Sequence, residues 1–162
     1  MEFTTADLCD AYPDLVQVAD PLFREYGGLA KFTGPIETLK LFEDNALVRQ
    51  ILETDGRGRV LVIDGGGSLR CALVGGRLAA VAHANDWAGL LINGCVRDSA
   101  ELAQVAIGIR ALNCVPVRSG KLGTGETGSR LDFAGVSFGS GSFVYADGDG
   151  IVVAERNLLD GG

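Results

Sequence analysis

A charged pair, Arg97-Asp98, directly follows the apolar stretch Gly89-Leu90-Leu91-Ile92-Asn93 and the small Gly94-Cys95-Val96. It therefore lies where a buried strand leaves the core. Neighbours in extended chain point in different directions, so the two need not pair with each other. One can face an anionic ligand and the other a metal. Arginine offers a fork of donors that matches a carboxylate or an enolate oxygen. Aspartate is a hard oxygen ligand suited to Mg²⁺ or Mn²⁺. The same pair also reads as a surface turn in which Asp98 caps a helix beginning at Ser99. A second group, Gly75-Gly76-Arg77-Leu78, stands at the start of a helical pattern. Glycines there admit a ligand to the backbone, and helix-start N–H groups favour an anion. An ordinary loop-to-helix turn has the same composition. Asp64-Gly65-Gly66-Gly67-Ser68 is equally a tight turn or a ligand contact, and Phe42-Glu43-Asp44-Asn45 either places a carboxylate near a cleft or caps a helix.

The composition narrows the chemistry. His83 is the one histidine, which excludes a multi-histidine metal site, and its Ala/Val surroundings read as a core or boundary position. The four cysteines, at 9, 71, 95 and 114, form no Cys-x-x-Cys pair. They read as free thiols of a reducing compartment and not as a zinc knuckle. Gly65, Gly67 and Arg70 break the spacing of a dinucleotide fingerprint, and no phosphate-loop lysine follows. With a net charge of −7 and no Lys/Arg cluster, direct nucleic-acid binding is not expected. No apolar run reaches the roughly 18 residues of a membrane span, and Met1-Glu2-Phe3-Thr4-Thr5, with no basic region followed by an apolar stretch, does not read as a signal peptide. The expected setting is cytoplasmic.

The elements that must hold these residues follow from pattern. At 162 residues, 47% of them hydrophobic, residues 1–162 read as a single globular domain. Thr4 caps a short helix that stops before Pro13. Residues 34–41 alternate as a strand. Asp44 caps a helix carrying Leu47, Val48, Ile51 and Leu52 at helical spacing and ending at Gly56-Arg57-Gly58. Val60-Leu61-Val62-Ile63-Asp64 and residues 89–93 are continuous apolar runs, as strands covered on both faces are. A helix over 76–86 lies between them, with Leu78, Ala79, Val81 and Ala82 inward. A short helix through Leu102 leads to extended segments at 107–111 and 115–117. Residues 119–129, rich in Gly, Ser and Thr, read as a mobile loop. Turns at 139–142 and 147–150 divide a strand-rich end. The order implies an α/β domain with a mixed sheet. In such folds ligands gather outside the carboxyl ends of strands, which places Asp64 and the Arg97-Asp98 pair at one cleft.

Taken together, Phe42-Glu43-Asp44-Asn45, the segment from Val60 to Ser68, Gly94-Cys95-Val96-Arg97-Asp98 and Tyr145-Ala146-Asp147-Gly148-Asp149-Gly150 resemble the family of the regulator of ribonuclease activity A and the class II 4-hydroxy-4-methyl-2-oxoglutarate aldolases. The resemblance runs essentially end to end. It implies a β/β/α domain like the phosphohistidine swivelling domains, assembled as a homotrimer with clefts between subunits. It implies a divalent metal (Mg²⁺ or Mn²⁺) and a small 2-oxo acid substrate: cleavage of 4-hydroxy-4-methyl-2-oxoglutarate into two pyruvates, and decarboxylation of oxaloacetate, both through a pyruvate enolate. Carried over by position, Asp98 is the metal ligand, Arg97 the substrate-binding and enolate-stabilising residue, and Gly75, Gly76, Arg77 and Leu78 the loop that holds substrate. One departure is plain. Family aldolases carry an Asp separated by twenty intervening residues from the Arg of the Arg-Asp pair, and Gly76 stands there in this chain. Decarboxylation, which needs no base for a hydroxyl proton, is therefore expected to survive better than aldol cleavage. The other branch of the resemblance implies a non-catalytic trimer that binds an endoribonuclease of the ribonuclease E type, or an RNA helicase.

Overall fold

The computed structural model describes residues 2–160. Helix α1 (Thr5–Ala11) opens the chain, with the Thr4 hydroxyl accepting the Asp7 N–H at its start. Two short strands, β1 (Val16–Val18) and β2 (Arg24–Glu25), precede the long β3 (Phe32–Lys40). Then come α2 (Ala46–Leu52), β4 (Val60–Asp64), β5 (Ala72–Val74), α3 (Gly76–Ala84) and β6 (Gly89–Val96). These are followed by α4 (Ser99–Leu102), β7 (Gly108–Cys114), β8 (Glu126–Thr127), β9 (Leu131–Phe133), β10 (Val136–Phe138), β11 (Phe143–Asp147) and β12 (Gly150–Ala154). A ten-stranded mixed sheet runs β1-β12-β11-β3-β4-β6-β7-β2, with β5 on the end of β6 and β8 on the end of β3. β3, β4, β6 and β7 are mutually parallel, and β11, β12 and β1 continue antiparallel.

The continuous apolar runs are buried on both faces, and their alternation shows how. Leu61, Ile63, Leu90 and Ile92 pack under α2, α3 and α4 with Val48, Leu52, Leu78, Ala79, Ala82 and Leu102. Val60, Val62 and Leu91 face the other way, onto Phe32, Leu131, Phe138, Val144, Ile151 and Val153. Helices, parallel sheet and a β layer thus stack as β/β/α, the architecture that the family resemblance implies. Gly89 and Gly108 let the Phe32 ring lie flat on adjacent strands: a Cβ on either would come within 2.6 Å of ring carbons.

Several expectations change in detail. The helix after Asp44 ends at Leu52, not at Gly56, and Asn45 takes its cap position. β5 was not visible in the pattern, and residues 115–117 form no strand. His83 is exposed on α3, with no core role. All four cysteines are free. No helix among the described residues is long and apolar enough to cross a membrane.

Candidate active site

The end of β6 is tied to the end of β5. The two strands pair in parallel, and the Arg97 N–H donates to the Val74 carbonyl at 3.0 Å. This places Arg97 and Asp98 against Gly75 and Gly76, the start of α3. Asp98 has left-handed backbone, φ 61° and ψ 46°. Aspartate tolerates that region, and such residues cluster at functional sites. The conformation turns its carboxylate away from α4: the side chain does not cap that helix, although Asp98 precedes it. Asp98 Oδ2 instead accepts the Gly76 N–H at 2.9 Å. The helix-start amide expected to meet a ligand anion therefore already holds an anion of the protein. Gly75 is required for this closeness, since a Cβ there would lie 2.6 Å from Asp98 Oδ2 and 3.3 Å from Arg97 Cγ.

The pair opens into a cleft of about 690 Å³, within the usual size for a small-molecule site. Gly75, Arg77, Leu78, Arg97 and Asp98 line it, so five of the six residues singled out from sequence meet there. Gly76 is buried behind it. The cleft also takes Arg49 from α2, Glu53 just past its end, Glu101 from α4, and Arg118, Ser119 and Lys121 from the loop after β7. Five cations face three carboxylates in a chain whose net charge is −7. None of the five makes an ion pair among the described residues. An acidic protein that gathers unpaired cations in one concavity has an anion-seeking site there.

Glu101 was missed as a site residue. A Cβ on Gly76 would overlap its carboxylate and lie 2.7 Å from Glu101 Cδ. Its carboxylate therefore fills the space that a side chain at 76 would take. Helical spacing from Asp98 was the available signal: residues three apart at a helix start share a face.

Asp64 does not join this cleft. Its Oδ1 accepts the Gly66 N–H at 2.9 Å and the Asn93 amide at 3.0 Å, and it borders a separate depression with Lys40, Phe42 and Glu126. The expectation that both strand ends share one cleft fails because β6 runs on to Val96 and carries its loop past β4. The Phe42-Glu43-Asp44-Asn45 segment acts as a clamp. Glu43 binds the Ser68 hydroxyl at 2.6 Å and Arg70 at 2.7 Å, and these bonds hold its carboxyl below the ordinary range. Buried Asp44 accepts the N–H groups of Ala46 (3.0 Å), Leu122 (2.6 Å) and Gly123 (3.1 Å) and the Thr124 hydroxyl (3.3 Å). Asn45 accepts from Lys121 Nζ at 3.0 Å and donates to the Leu73 carbonyl. Residues 120–124, expected to be mobile, are thus pinned, and β8 pairs their continuation with β3.

A β/β/α domain with an arginine-lined cleft at the strand ends defines the class. The sequence model described as RraA-like, Aldolase/RraA, matches residues 5–153, and the chain belongs to that family. A protein of Alkalilimnicola ehrlichii named "Putative 4-hydroxy-4-methyl-2-oxoglutarate aldolase" is 52% identical over 159 residues, 98% of this chain and 99% of that one. Two solved structures are similar throughout. The RNA-processing inhibitor RraA from Thermus thermophilis has a TM-score of 0.93 at 46% identity, covering 99% of this chain and 98% of its own. A Geobacillus kaustophilus protein described as an S-adenosylmethionine: 2-dimethylmenaquinone methyltransferase has 0.95 at 50%, covering 97% and 98%.

Proposed function

We propose that the cleft cleaves carbon–carbon bonds of 2-oxo acids and releases pyruvate, acting on 4-hydroxy-4-methyl-2-oxoglutarate and on oxaloacetate. The observation that carries this reading is the unpaired Arg97 guanidinium beside two carboxylates at the glycine-walled start of α3. In either reaction the breaking bond leaves its electron pair on the pyruvyl fragment, as an enolate whose oxygen bears new negative charge. In this reading Arg97 binds the 2-oxo acid and holds that charge as it forms. Glycines 75 and 76 leave room at the backbone for the Asp98 and Glu101 carboxylates.

A hard divalent cation fits the donor set. Asp98 gives one oxygen to Gly76, and its other oxygen has no donor among the described residues. Those residues form no cluster of three or more His, Cys, Asp or Glu that would cage a metal. Mg²⁺ characteristically binds one or two carboxylates and keeps water and substrate for the rest, so Asp98, with Glu101 nearby, would hold it. When bound, the ion supplies Lewis-acid polarisation of the 2-oxo oxygen. Aldol cleavage also needs a base for the hydroxyl proton. Glu101, in the space beside Gly76, offers one, so the glycine at 76 does not by itself remove the acid function from the cleft.

The test is pyruvate release by the purified protein on both substrates. Activity that disappears with chelator and returns with Mg²⁺ or Mn²⁺ is the expected result. No pyruvate from either substrate overturns the lyase reading. The likeness to an RNA-processing inhibitor then favours the second one, a protein that binds an endoribonuclease or RNA helicase without catalysis. Assembly as a homotrimer in a reducing cytoplasm belongs to both.

A further inference from the structure

We propose that the free edge of β1 is a docking site for a basic, extended segment of another protein, which adds to the sheet as one more strand. The proposal is independent of the cleft, because β1 ends the strand order on the side away from β6.

The edge itself is the first observation. β1 pairs with β12 on one side and closes the ten-stranded sheet there. The Ala19 N–H donates to the Ile151 carbonyl at 3.0 Å. Antiparallel ladders alternate, so Gln17, two residues earlier and opposite Val153, also turns its N–H and C=O to β12. Those of Val16 and Val18 then point outward, and no backbone hydrogen bond from any other element reaches them among the described residues. Exposed edges are usually blunted by lysine, proline or a bulge. The sequence Val16-Gln17-Val18 carries none of these, whereas the opposite edge, β2, is only Arg24 and Glu25.

The second observation is apolar surface along that edge. Val18 pairs with Val152, whose cluster includes Leu8 and Tyr145, so it lies on the face that α1 covers, yet it is 54% exposed. Leu15 and Leu22, 46% and 53% exposed, bracket the strand. The other face is polar: the Gln17 side chain accepts the Ser137 N–H at 3.0 Å, and the Ser137 hydroxyl bonds Asp132. An added strand therefore meets apolar side chains on one face and polar ones on the other, which is the alternation a strand supplies.

The third observation is charge, and it selects the occupant. Residues 1–23 hold five carboxylates (Glu2, Asp7, Asp10, Asp14 and Asp20) and no Lys or Arg. Asp14 and Asp20 flank β1, and Glu155 follows Ala154, the partner of Val16. All three are exposed, with no ion pair among the described residues. A second copy of this chain is disfavoured there, since two such edges bring like charges together. A segment in which Lys or Arg alternates with apolar residues matches both the charge and the face.

The experiment is fluorescence anisotropy of the purified protein with a short labelled peptide of alternating lysine and valine. Two further probes serve as controls: alternating glutamate and valine, and the lysine–valine peptide N-methylated at every second amide, which keeps the charge and loses the strand bonds. Wild type should bind the first peptide at least about ten-fold tighter than its N-methylated form, as about one lost backbone hydrogen bond with its stranded partner requires. The glutamate peptide should not bind. Val18→Pro removes an outward N–H and leaves the pairing with β12 in place, so it should weaken binding by a similar factor without lowering the melting temperature. Asp14→Asn with Asp20→Asn should weaken it about five-fold at low salt and flatten its salt dependence, the size two exposed ion pairs give. Equal binding of the N-methylated peptide, or undiminished binding in a folded Val18→Pro, overturns the proposal. The N-methyl comparison decides it on wild type alone if Val18→Pro does not fold. A change in the protein's own oligomeric state in Val18→Pro, with no peptide bound by wild type, assigns the edge to a second copy and also overturns it.

Discussion

Arg97→Ala should lower kcat for pyruvate release by about 10²–10³-fold on both substrates, the size seen when one preorganised donor to a developing oxyanion is removed. The loss should appear in kcat more than in KM, because the charge it meets exists mainly in the transition state. Arg97→Lys should recover part of it, since a point charge replaces the fork without its geometry. Stability should barely change. Arg97 is only half-buried and its side chain is in no ion pair among the described residues, and such substitutions usually stay within about 0.5 kcal/mol. Steady-state kinetics with a thermal melt decides this. Wild-type rates in Arg97→Ala would remove the enolate mechanism.

The second large effect is structural. Asp44 is 3% exposed and accepts hydrogen bonds from the start of α2 and from three residues of the cleft loop. Asp44→Ala leaves those donors without their charged acceptor and should cost about 2–3 kcal/mol. For a chain of this size that is roughly 5–10 °C in melting temperature. Amide exchange at Leu122 and Gly123 should accelerate first. Burial pushes the Asp44 carboxyl up, but the donors from Ala46, Leu122, Gly123 and Thr124 outweigh it and hold it below its ordinary 3.8. A depressed carboxyl contributes stability that is present above the ordinary value and lost as pH falls through the lower folded value. The clamp therefore holds at neutral pH and opens only in acid below 3.8. Asp147 shifts in the same direction: burial raises it, and Thr5 and the Asp149 and Gly150 backbone outweigh this. The variant should accordingly lose part, not all, of the acid sensitivity, and melts at neutral and acid pH compare the two chains.

Strands buried on both faces were legible because β4 and β6 need apolar residues at every position, and a run such as Val60-Leu61-Val62-Ile63 has few other uses. The 147–150 hairpin was legible from its Asp-Gly pairs, and β11 and β12 join there. β5 was hidden because three residues carry no period. The cleft loop looked mobile because its composition is that of a free loop. What fixes it is a carboxylate 78 residues earlier in the chain. Arg97 and Asp98 were visible as a charged pair at a strand end. Glu101 was not, because its part depends on what lies opposite it, and that is a glycine with no side chain to announce the gap.

That gap makes positions 76 and 101 epistatic. An acid grafted at 76 meets the Glu101 carboxylate and, at 3.0 Å, its Cβ, so Gly76→Asp alone should displace Glu101 and gain little. Shortening the neighbour as well, Gly76→Asp with Glu101→Ala, should restore aldol cleavage relative to Glu101→Ala alone. The pair should therefore depart from additivity, as contacting residues commonly do by about 0.5–3 kcal/mol. One carboxylate's worth of room is shared by two codons, and descendants of this chain can move the acid from one to the other only by changing both.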